Sequence, residues 1–119
     1  MLAPVGDFAA DIVSKNGDKL IYNEFKSWSS NLMGQSNMVD QMTGTLTQIS
    51  NLDEMRFIFN ANRWVPDAAK LKTALQGKSG LFDAIPDAKK LELFQTIDTQ
   101  EIINILADDD VFSIIFKVQ

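Results

Sequence analysis

Two short runs rich in β-branched and aromatic residues, about 8–15 and 18–26, flank an Asn16-Gly17 pair. Asn and Gly tolerate the positive φ angles of a tight primed turn, so the pattern predicts a β-hairpin. With Asn16-Gly17 as the loop, Lys15 faces Asp18, Val13 faces Leu20 and Asp11 faces Tyr22. Side chains alternate along a strand, so Leu20, Tyr22, Glu24 and Lys26 share one face. Residues 1–7, with Pro4 and Gly6, read as a lead-in or a frayed edge strand.

From 31 to 49 the period changes: Leu32, Val39, Met42, Leu46 and Ile49 recur on one face of a helix. Gly34 and Gly44 work against that helix by about 1 kcal/mol each. Met33, Met38 and Met42 read as adaptable core filler. The nearly continuous apolar run at 55–60 predicts a strand covered on both faces. A short helix follows at 67–76 with Pro66 near its start, then a break at Gly77-Lys78-Ser79-Gly80 and a connector at 81–85. A further helix is predicted over 87–96, and Asp98 with Glu101 has capping-box spacing for one running to Leu106. The last segment, 111–118, reads as a strand with Phe112, Ile114, Phe116 and Val118 on one face. The expected fold class is α/β (α+β): a mixed sheet of about four strands, begun by the hairpin and flanked by helices.

Composition narrows the chemistry. At 119 residues the chain is one domain, 1–119, expected to be a fragment of a longer protein, and 45% hydrophobic content argues for a packed core. It has neither cysteine nor histidine. That removes disulfides, thiol nucleophiles, Ser-His-Asp triads and Cys- or His-ligated metals. No apolar run approaches the ~20 residues of a membrane span, and residues 1–7 lack the charged leader and apolar core of a signal peptide. No membrane partner is therefore expected. The net charge of −5 counts against nucleic acid as a partner, because phosphate binding ordinarily leaves a basic footprint.

Asp11 and Glu24 lie diagonally across the expected hairpin, roughly 5–8 Å apart at Cβ, with Lys26 beyond them on the same face. Two such carboxylates can hold a hard divalent cation through oxygen. The cation lowers the pKa of bound water and offsets charge on a phosphate, and an adjacent ammonium adds to that. Solvated charges on an exposed strand are the plainer reading of the same residues. Asp11 followed by Glu24-Phe25-Lys26 resembles the PD-(D/E)XK, or restriction-endonuclease-like, nuclease core, which recurs in C-terminal toxin modules of bacterial contact-dependent inhibition and polymorphic toxin systems. The resemblance covers residues 8–28. It departs from the family in having Ala10 before Asp11, and in lacking an N-terminal helix with a supporting Glu.

The resemblance implies metal-dependent phosphodiester hydrolysis of DNA or tRNA. Asp11 and Glu24 would be ligands to one or two Mg²⁺ or Mn²⁺ ions, and Lys26 the catalytic lysine. It also implies a cognate immunity protein, delivery within a larger secreted or surface protein, and action in the cytoplasm of a target bacterium. Tyr22, Gln41, Arg63 and Trp64 are the candidate substrate contacts: Gln41 from a helix beside the site, Arg63 for a phosphate, Trp64 for a base. Packing is the plainer role for Trp64, and a solvated face for Gln41. Gly77-Lys78-Ser79 lacks the upstream glycine of a phosphate loop, and Asp108-Asp109-Asp110 reads as a solvated turn. The competing function is an acidic protein-binding module, of immunity or inhibitor type, without catalysis.

Overall fold

The computed structural model describes residues 12–16 and 19–119. β1 (Ile12–Asn16) pairs antiparallel with β2 (Lys19–Lys26), as the hairpin pattern requires. The register differs from expectation by two residues: Asn16 pairs with Lys19 and Val13 with Tyr22, where Leu20 was expected opposite Val13. Two residues are one pleat repeat, so odd positions of β1 still pair with even positions of β2. The turn itself and Asp11 lie outside the described residues.

α1 (Met38–Leu46) crosses over from β2 to β3 (Met55–Phe59), which lies parallel to β2 with Glu24 opposite Phe57 and Lys26 opposite Phe59. A parallel pair demands such a crossover, because a tight turn cannot reverse the chain twice. α1 starts later than its apolar period suggests. Gln35 and Ser36 N–H groups both close on the Leu32 carbonyl, and the Ser36 hydroxyl accepts from Met38 N at 3.2 Å. Gly34 therefore falls in a turn ahead of the helix, where its flexibility costs nothing. A 3-10 turn at Leu52–Glu54 carries a full capping box between Asn51 and Glu54 and delivers the chain into β3.

α2 (Ala68–Gly77) is capped by the Asp67 carboxylate on Lys70 N at 2.8 Å. The expected connector at 81–85 belongs to a 3-10 helix over Ser79–Ala84, whose Phe82 is fully buried. α3 (Asp87–Phe94) and α4 (Thr99–Leu106) follow, α4 capped by Asp98 on Glu101 N at 2.9 Å.

The expected strand at 111–118 is the main correction. α5 spans Asp109–Ile115, and only Phe116–Val118 form a strand, β4, parallel to β3. The Asp108 carboxylate accepts from Asp110 N at 3.0 Å, and Asp109 and Asp110 sit in the first turn, where the helix dipole favours negative charge. Val111, Phe112 and Ile115 then turn inward while Ile114 is exposed. Alternation would have put Ile114 inside.

The strand order is β1-β2-β3-β4. One apolar cluster joins a single face of the sheet (Tyr22, Met55, Phe57, Phe59 and Phe116) to residues from each of α1 to α5. Phe57 and Phe112 both stack on Phe116, with ring centres 5.4 and 4.7 Å away. Met33, Met38 and Met42 are completely buried in this cluster, as expected of conformable filler. The observed class is mixed α/β, with three parallel strands flanked by helices. Among the described residues no helix is long and apolar enough to cross a membrane.

Candidate functional site

β2 carries Tyr22, Glu24 and Lys26 on the face turned toward the helices. Its neighbour β3 supplies Met55, Phe57 and Phe59 opposite them. Glu24 therefore lies beside Phe57 and is only 2% exposed. It is not one of the solvated charges of an open strand face. A carboxylate buried this far is costly unless charge or hydrogen bonds compensate it.

Two residues on, at the carboxyl end of β2, Lys26 is half-buried. Its Nζ donates to Gln41 Oε1 at 2.6 Å and stands 5.8 Å from the centre of the Trp28 ring. Gln41 lies in α1, so the crossover helix reaches back and fixes the lysine. The ends of parallel strands gather the loops that follow them, which is where α/β proteins commonly bind ligands. A groove of about 370 Å³ opens at the same strand ends toward the other face of the sheet, where Phe25 and Ile58 form its wall with Lys26, Ser27, Phe59, Asn60 and Gln119.

The remaining candidates separate. Tyr22 is 6% exposed and its ring packs in the core. Arg63 is exposed on the loop after β3, where its N–H donates to the Asn60 carbonyl at 3.1 Å. Trp64 is half-buried, 5.9 Å from Phe59 and 6.2 Å from Trp28 between ring centres. Packing is thus one of its roles.

Trp28 and Lys70 carry no signal of their own in the sequence. Trp64 N–H donates to the Trp28 carbonyl at 2.9 Å, joining the loop after β2 to the loop after β3. Lys70 Nζ stands 5.8 Å from the Trp64 ring centre. Lys70 also pairs with Asp67 at 3.1 Å. The Lys70 backbone N–H, then its side chain, hold the Asp67 carboxyl below its ordinary value. The parallel register that sets Lys26 beside Phe59 is what brings these loops together.

Among the described residues no three Asp or Glu side chains gather as a metal-binding cluster. Asp108, Asp109 and Asp110 are exposed and serve the start of α5. A metal at this site would draw on Glu24, a buried hard oxygen donor, and on Asp11, outside the described residues. No family model, curated protein or solved structure matches the chain.

Proposed function

We propose that the chain is a metal-dependent endonuclease of the restriction-endonuclease-like kind, hydrolysing phosphodiester bonds of DNA or tRNA. The observation that carries this reading is the burial of Glu24 two residues before a lysine that α1 holds through Gln41. A hairpin with decorative charges would leave both in water. The order β1-β2-α1-β3, with Glu24-Phe25-Lys26 on the strand before the crossover helix, also suits a four-stranded core of that kind.

Glu24 and Asp11 would hold one or two Mg²⁺ or Mn²⁺ ions. A bound ion would supply a water of lowered pKa and offset charge on the phosphate. The protein's own part follows from its side chains. Lys26 presents an ammonium at the strand end, where negative charge grows on the phosphate during attack by water. Gln41 limits the rotamers of that ammonium, so less entropy is lost when substrate arrives. The apolar wall of Phe57 and Phe59 behind Glu24 keeps the local dielectric low and strengthens each of these interactions. The toxin role, the immunity partner and delivery within a larger secreted or surface protein rest on the resemblance of residues 8–28 alone.

The test is incubation with plasmid DNA and, separately, total tRNA, each with Mg²⁺ or Mn²⁺, with and without EDTA, beside Lys26→Ala. Metal-dependent cleavage of one substrate, absent in the variant, is expected. A folded sample that cuts neither overturns the proposal and favours an acidic protein-binding module, for which the charge of −5 already speaks.

A further inference from the structure

Lys26, Trp28, Trp64 and Lys70 form an unbroken file across the end of the sheet. Successive steps are 5.8 Å from ammonium to ring, 6.2 Å from ring to ring, and 5.8 Å from ring to ammonium. The Trp28 and Trp64 rings are tilted by only 34°, and both are half-buried, anchored on Phe59 beneath. The file continues past Lys70 into a second groove, of about 300 Å³, where Lys78 and the polar Asn31, Gln35 and Thr73 form part of the wall. Core packing alone would account for the two rings but not for a cation over each.

We infer that this file is a track for single-stranded nucleic acid, with bases stacking on Trp28 and Trp64 and phosphates meeting Lys26, Lys70 and Lys78. Aromatic rings interleaved with cations suit single strands, because every unpaired base offers a π-face while a duplex hides its own. The file and the Lys70–Lys78 groove are local, so the overall acidity of the chain does not prevent them from attracting phosphate. Asp67 competes for Lys70, but both partners are about half exposed, and such a pair yields readily to a better anion. The inference rests on the nuclease reading for its biological sense, since it makes an unpaired strand the form in which substrate reaches Lys26. Binding itself needs neither metal nor turnover.

Trp28 and Trp64 are the chain's only tryptophans, so intrinsic tryptophan fluorescence reports on this track and nowhere else. The experiment titrates the full chain, in EDTA, with oligothymidylate, with oligouridylate and with a duplex, each of about 12 nucleotides or base pairs. Saturable quenching by single strands at several-fold lower concentration than by duplex is expected. Stronger quenching by one of the two single strands assigns the track to DNA or to RNA. Lys70→Gln should weaken binding several-fold and lower the slope of log affinity against log salt by about 0.7, the share of one neutralised phosphate. Circular dichroism checks that this exposed substitution leaves the fold intact. Absence of quenching, equal affinity for duplex, or an unchanged salt slope in Lys70→Gln overturns the inference. Metal-dependent cleavage retained alongside any of those results would leave the nuclease standing and remove only the track.

Discussion

The hydrogen bond between Lys26 and Gln41 can be dissected by a double-mutant cycle. Its 2.6 Å separation and its ionised donor put it among the stronger hydrogen bonds, which are worth about 1.5–3 kcal/mol. Both side chains are half-buried, so water recovers part of that, and about 1.5 kcal/mol is the expected share. Lys26→Ala also removes the ammonium 5.8 Å from the Trp28 ring, worth about 0.5 kcal/mol at a site this open. Lys26→Ala should therefore destabilise by about 2 kcal/mol and Gln41→Ala by about 1.5. The double variant should fall near 2 as well, because the shared bond can be removed only once. The coupling is then about 1.5 kcal/mol, measured by urea denaturation of the four proteins with a common slope. In cleavage assays Gln41→Ala should lower kcat about tenfold while Lys26→Ala removes activity, since the first loosens the ammonium and the second deletes it. Coupling below about 0.5 kcal/mol, the usual error of additivity, would refute the idea that α1 fixes the lysine.

Glu24→Gln keeps the shape of the buried side chain but not its charge. Magnesium at about 100 times its dissociation constant should stabilise the wild type by about 2.7 kcal/mol and leave this variant unmoved in thermal unfolding. An equal shift in both would remove Glu24 from the metal site. Asp108→Ala deletes the cap of α5 and should cost about 1 kcal/mol, seen as a lower Tm with a small loss of helical circular dichroism. An unchanged Tm would mean that the cap does not hold that helix. The Asp67 carboxyl titrates below its ordinary 3.8 because Lys70 hydrogen-bonds and attracts its charged form. Its contribution to stability is present above pH 3.8 and drains away as pH falls through the lowered folded value. Asp67→Asn should flatten the stability profile in that acidic window alone, by a small amount given the exposure of the pair. A profile identical to wild type there would show that the cap carries no proton linkage.

What could be read from the sequence was what local patterns decide. The hairpin, apart from its register, the central strand at Met55–Phe59, the methionine filler and the cap at Asp98 depend on neighbours a few residues away, and they stand where their residues place them. Residues 111–118 were ambiguous for a physical reason. Val111, Phe112 and Ile115 suit a helix as well as Phe112, Ile114 and Phe116 suit a strand, and so short a run offers no majority. The Asp108 cap tips the balance. The pairing of Trp28 with Trp64 was invisible because it follows from parallel register between strands joined by a long crossover. Alternation likewise assigned Glu24 to a face without saying how deeply helices would cover that face.

That depth is the strongest argument that the end of β2 is more than scaffold. Position 24 faces Phe57 across the sheet, lies between Tyr22 and Lys26 along the strand and is 2% exposed. Burying a carboxylate there forgoes the ~1.5–3 kcal/mol of a buried aliphatic side chain and requires charge or hydrogen bonds to compensate it. Folds break their own packing rules mainly where function needs it, and stability is given up there in exchange for activity. Lys90, also 5% exposed, is a weaker exception, because a lysine can bury its stem while its ammonium reaches water. Glu24 has a short side chain rooted in the middle of a paired strand and cannot escape in that way. A carboxylate held there, with a steered ammonium two residues along, is the arrangement that the proposed nuclease would use.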